Sequence, residues 1–100
     1  MSTPDWHVYL IRCGDGTLYT GVATDVSRRL EEHRRGVGKG AKYLRGRGPL
    51  QLVLKKTVGP RGVALSVESR IKKLRRARKE ELIVQDDMID ELIVRVSGRD

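Results

Sequence analysis

Two short runs near the amino end, Trp6–Arg12 (WHVYLIR) and Thr17–Ala23 (TLYTGVA), are rich in Val, Ile, Tyr and Thr and flank Gly14-Asp15-Gly16. Branched and aromatic side chains favour extended backbone, and Asp beside Gly favours a tight reversal, so the segment predicts a β-hairpin. Its register decides which side chains share a face. A two-residue turn at Asp15-Gly16 pairs Tyr9 with Val22 and Arg12 with Tyr19, which places Tyr9 and Tyr19 on opposite faces. A three-residue loop pairs Tyr9 with Gly21 and Ile11 with Tyr19, and both tyrosines then share one face. Gly16 suits the left-handed position which that loop requires. Local chemistry permits either. Only the three-residue loop puts both phenols on one face, and the residues alone leave the register open.

The rest of the chain completes a small α+β domain. Thr24 or Asp25 is placed to cap a helix running to about residue 35, with Val26 and Leu30 facing the core. Residues 36–49 (GVGKGAKYLRGRGP) read as a glycine-rich basic loop with one helical turn around residues 41–44. Leu50, Leu52 and Leu54 alternate as in a strand that ends near Val58, before Gly59-Pro60. Val63, Val67, Ile71 and Leu74 recur at helical spacing, which predicts a long helix to about Arg76. A shorter helix over roughly 78–85 follows, and residues 89–96 suit helix or strand equally. The expected order is β-β-α-β-α-α, a three-stranded antiparallel sheet packed by helices. The 100 residues form one domain, with the core over about 6–85 and an acidic carboxy-terminal tail over about 86–100.

Charge narrows the partner. Residues 28–79 hold 18 Lys and Arg against only Glu31, Glu32 and Glu68, whereas the segments on either side are net acidic; the whole chain is +8. A solvated basic surface explains most short charge runs, but a block this one-sided repels itself unless a polyanion neutralises it, which points to nucleic acid. The single cysteine, Cys13, excludes an intrachain disulfide framework and a Cys-rich zinc module. With no apolar stretch of membrane-spanning length and no secretory signal pattern, a cytoplasmic monomer without membrane contact is expected.

One constellation stands out: Tyr9, then Tyr19-Thr20-Gly21, then Arg29 and His33, then the distant Glu68. In this order and strand–strand–helix context it resembles the GIY-YIG nuclease superfamily. The two name-giving motifs read here as His7-Val8-Tyr9 and Tyr19-Thr20-Gly21. Arg29-Leu-Glu-Glu-His33 is similar to the family's Arg-x-x-x-His stretch, and ALSVESRIKKL, which carries Glu68, to its metal-binding helix. GKGAKYLRGRGPLQLV resembles the small stand-alone bacterial members of YhbQ type. The resemblance covers about residues 6–85. Two departures are visible: His7 stands where the first motif has glycine, and the chain contains no Asn, which some members place late in the domain.

The resemblance implies the GIY-YIG fold and hydrolysis of phosphodiester bonds with one Mg²⁺ or Mn²⁺ ion. Glu68 is the implied ligand, since Mg²⁺ takes oxygen donors and keeps several waters, so one carboxylate plus substrate phosphate suffices; its alternative role is an i,i+4 ion pair with Lys72. Arg29 suits charge growing on phosphoryl oxygens, or is a solvated helix arginine. His33 relays a proton or makes a structural hydrogen bond. Tyr9 or Tyr19 orients or deprotonates the attacking water if the metal, Arg29 and nearby lysines lower its pKa, or both simply pack on the sheet; a role open to either phenol needs both on one face, so the resemblance implies the three-residue hairpin loop. Gly21, opposite Tyr9, is expected to let phosphate approach the backbone. Lys39, Lys42, Arg45, Arg47 and Lys72 are expected phosphate contacts, while Tyr43 stacks on an unpaired base or anchors the loop. Two functions follow: an endonuclease with little sequence preference, DNA favoured over RNA, or a nucleic-acid-binding module that kept the fold without useful catalysis.

Overall fold

In the computed structural model, which describes residues 3–38 and 40–98, the chain opens with β1 (Trp6–Arg12) and β2 (Leu18–Ala23), followed by helix α1 (Val26–Arg34) and one turn, α2 (Ala41–Leu44). Strand β3 (Gln51–Gly59) and helices α3 (Arg61–Lys72), α4 (Arg76–Val84) and α5 (Asp86–Ser97) complete it. The strands form one antiparallel sheet in the order β2-β1-β3. The expected α+β architecture is present, with a further helix at its end.

The hairpin adopts the three-residue loop. Tyr9 lies opposite Gly21 and Ile11 opposite Tyr19. The Cys13 amide donates to the Thr17 carbonyl (2.8 Å), and Gly16 turns at φ +89°. Asp15 accepts from the Thr17 amide and hydroxyl (3.1 and 2.7 Å), closing the turn from inside.

Because β1 is the central strand, both its faces are buried, and Val8-Tyr9-Leu10-Ile11 reads as one continuous apolar run rather than an alternating one. Val8 and Leu10 pack with Leu54, Val67, Ile71, Leu82 and Ile89. Tyr9, Ile11 and Cys13 pack on the other face with Ala23, Val26, Leu44 and Leu50. The second cluster is the one that includes the candidate site residues Tyr9 and Tyr19.

Two boundaries differ from expectation. The helix expected to reach Arg76 ends at Lys72: its last turn tightens into three-residue bonds, Lys73 N–H to Arg70 O and Leu74 N–H to Ile71 O, and α4 starts afresh at Arg76. Leu74 still packs on the same core, so the apolar period runs on through the turn and conceals the break. The segment expected as an acidic tail is instead α5, so the core extends beyond residue 85. Its Ile89 is fully buried, which stabilises the fold by roughly 1.5–3 kcal/mol. Asp86 and Asp87 occupy the first turn of α5, where the helix dipole favours negative charge.

Candidate active site

Helix α1 begins where Asp25 caps it, its carboxylate accepting from the Arg28 amide at 3.0 Å. Val26 is buried, which fixes the rotation of the helix and sets Arg29 and His33, one turn apart, on the side facing β1 and β2. His33 Nε2 then lies 2.9 Å from the Tyr9 hydroxyl. The Tyr19 ring meets the same imidazole edge-on, with centroids 5.4 Å apart, and Tyr43 of α2 leans against Tyr19 at 5.6 Å. Helix α3, which packs on β1 and β2, adds Glu68, near enough for its charge to act on both phenols. Tyr9, Tyr19, Arg29, His33 and Glu68 are thus brought together.

Burial controls the protonation of this group. Tyr9 is 1% exposed, and desolvation, with the charges of Tyr19 and Glu68, pushes its phenol well up despite the opposing Arg29. Tyr19 is raised by burial first and then by Glu68. The expectation that nearby cations lower a tyrosine pKa therefore fails in the protein alone, because desolvation outweighs Arg29. His33 is moved down by burial and then by Arg29. The two rings meet as neutral phenol and neutral imidazole. The Tyr9 hydroxyl satisfies Nε2, whereas Nδ1 is buried with no hydrogen-bond partner among the described residues.

The other expected residues divide. A Cβ on Gly21 would occupy the place of the Tyr9 hydroxyl and ring, so Gly21 makes room for Tyr9 and offers no open backbone to a phosphate, contrary to expectation. Arg47 is committed internally. It pairs with Asp15 (2.7 Å), donates to the Tyr43 carbonyl (2.7 Å) and lies 4.5 Å over the Tyr43 ring, tying the loop to the hairpin. Lys42 and Arg45 are exposed on the same loop, and Lys39 lies outside the described residues. Lys72 makes the i,i+4 pair with Glu68 at 3.4 Å, which leaves a cation beside the cluster. His7, the departure in the first motif, bonds Thr57 across the sheet at 3.0 Å. Gly40 went unnoticed in the sequence. A Cβ there would collide with the Tyr19 hydroxyl and crowd His33 Cε1 (3.1 Å), so it closes the loop over the site; its one signal was a place among many loop glycines.

Among the described residues no group of three or more His, Cys, Asp or Glu side chains converges to hold an ion, so no all-protein cage is built there. One carboxylate beside two phenols is an all-oxygen donor set. It fits a hydrated Mg²⁺ or Mn²⁺ that completes its shell with water and phosphate, and not a structural zinc.

Comparison with known proteins bears on the family and the fold. A family model described as the GIY-YIG catalytic domain matches residues 5–81. The UPF0213 protein YhbQ of Salmonella arizonae is 47% identical over 88 residues, spanning 88% of this chain and 86% of the relative. A UPF0213 protein of Yersinia pestis is 50% identical over 84 residues, 84% of this chain and 86% of the relative. The solution NMR structure of the UPF0213 protein BH0048 from Bacillus halodurans superposes with a TM-score of 0.52 at 44% identity, covering 80% of this chain and 83% of that one.

Proposed function

This chain belongs to the GIY-YIG family, a nuclease-type catalytic domain, and from that premise we propose that it is a divalent-metal-dependent endonuclease that hydrolyses DNA phosphodiester bonds with little sequence preference. The observation that carries the reading is that His33 meets both tyrosines while Arg29 and Glu68 lie near enough for their charges to act on both phenols. Glu68 would hold one Mg²⁺ or Mn²⁺ ion, which when bound supplies Lewis-acid stabilisation of phosphate charge. Arg29, whose Nε pairs with Glu32 at 3.1 Å, presents its two terminal nitrogens to the phosphoryl oxygens as they gain charge. Tyr19, the more exposed phenol, orients the attacking water. Tyr9 acts as a positioning residue: its bond to Nε2 holds the His33 ring in one orientation, edge-on to Tyr19. Exposed Lys42 and Arg45 follow the backbone without reading bases. The same reading takes the protein as a cytoplasmic monomer with a part in DNA repair or processing. No described helix is long and apolar enough to cross a membrane.

A second reading, a nucleic-acid-binding module without useful catalysis, is favoured by one observation: Tyr9 is 1% exposed and its phenol is held neutral. One assay separates the two. Wild type and Glu68→Gln, purified identically, are incubated with labelled duplex, single-stranded, flap and four-way-junction DNA and with the matching RNA, in Mg²⁺, Mn²⁺ or chelator. The nuclease reading expects metal-dependent cutting of DNA, lost by about 100-fold or more in the variant. Binding without cutting by either protein returns the module reading.

A further inference from the structure

Beyond the tyrosines, the carboxyl end of α1 and the loop after α2 enclose a pocket of about 710 Å³. That is the size of a small-ligand site. Its polar wall is His33, Arg34, Arg35 and Arg45, and no acidic residue lines it. Arg34 is fixed there by donating to the Leu50 carbonyl at 3.3 Å. Among the described residues neither Arg35 nor Arg45 forms a salt bridge, whereas Arg12, Arg28, Arg29, Arg47, Arg76 and Arg78 all do. Its apolar lining is Leu44, Pro49 and Leu50, with both leucines buried. The groove between α3, α4 and α5 is also rimmed by cations, but Glu91 lies among them and Arg78 is paired with Glu81. Among the described residues Arg70, Lys73 and Arg95 of that groove also form no salt bridge, and what sets the first pocket apart is a cationic and apolar lining without any carboxylate.

We propose that this pocket is a subsite for one nucleotide of the bound strand. Arg34, Arg35 and Arg45 hold its phosphate, and its base lies on the Pro49 and Leu50 wall. Guanidinium forks match phosphate oxygens in geometry as well as charge, and the apolar wall gives the base a surface that free phosphate lacks. His33 is shared with the catalytic cluster through the Tyr9 bond, so the occupant sits next to the strand being cut. That a strand is cut rests on the nuclease reading; occupancy of the pocket does not.

The test is an NMR titration in chelator, where nothing is cleaved. The probes are a thymidine trinucleotide without terminal phosphates, thymidine 5′-monophosphate and inorganic phosphate. The His33 ring and the amides of Gly36, Gly46 and Gly48 are expected to shift with saturation. The trinucleotide arm reports an internal phosphodiester, the monophosphate arm a strand terminus, and either one binding there supports the subsite. Arg35→Ala/Arg45→Ala, both exposed positions, is expected to weaken that binding about tenfold or more. The charge-matched control Arg75→Ala/Arg78→Ala is expected to change it less than about twofold. Equal weakening by both pairs, shifts confined to other residues, or inorganic phosphate binding as tightly as the nucleotides would overturn the proposal. Cleavage by wild type without shifts in this pocket defeats the subsite alone. Shifts without cleavage defeat the nuclease reading alone.

Discussion

At the scale of single residues the site depends on what is missing opposite Tyr9. Gly21 faces it across the hairpin, and a Cβ there would collide with the hydroxyl and Cζ of Tyr9. Gly21→Ala is therefore expected to force Tyr9 off its rotamer, to break the His33 bond, and to destabilise the fold by about 1–3 kcal/mol. Thermal denaturation checks this, and an unchanged Tm would remove Gly21 from the account. Local turn chemistry left two registers open, and only the resemblance, which implies a role for both phenols, favoured the one that puts Tyr9 and Tyr19 on one face. The reason for the glycine was not legible, since whether a gap is filled by a ring or left for a ligand depends on a rotamer that spacing does not encode. The direction of the tyrosine pKa shifts was likewise hidden. Arg29 is visible in the sequence, but the desolvation that outweighs it comes from packing.

At the scale of elements, one ion pair joins the two ends of the fold. Arg12, at the end of β1, grips Glu80 of α4 with two bonds of 2.7 Å, and Arg76 adds a third at 3.0 Å. Those hydrogen bonds, that from Arg12 foremost, lower the Glu80 carboxyl from 4.5 to about 2. A folded-state pKa below the unfolded one means that this stability is present above about pH 4.5 and is lost as the pH falls towards 2. Wild type is thus expected to be more stable than Glu80→Gln at pH 7, with the difference in Tm shrinking through that window. A difference that stays constant down to pH 2 would contradict the pairing. The pair is partly exposed, so the effect is small and salt-sensitive. No sequence signal links Arg12 to Glu80, because their meeting depends on where α4 docks. The hairpin and α1 were legible from local turn and cap chemistry. The break before α4 and the helical state of residues 89–96 were not, because apolar spacing ran through the one and suited two conformations in the other.

At the scale of the whole molecule, the basic middle of the chain wraps the site while acidic α5 packs away from it, tied to β3 by Lys56 and Asp90 at 3.2 Å. The charge pattern gave the partner class but not the placement: Arg47 turns inward to Asp15, whereas Arg34 and Arg35 line a pocket that no motif announced. The proposed machinery is drawn from β1, β2, α1 and α3, so it exists only when the fold is complete, and its members should act as a unit. Groups that act as a unit lose activity non-additively. The most direct measurement is single-turnover DNA cleavage in Mg²⁺ by wild type, Tyr19→Phe, Glu68→Gln and the double variant. Tyr19→Phe keeps the ring against His33 and removes only the hydroxyl. Each single change is expected to cost about 100-fold or more, and the double variant to fall within about threefold of the weaker single. Losses that multiply, or a Glu68→Gln protein that cuts like wild type, would contradict a single hydrolytic site.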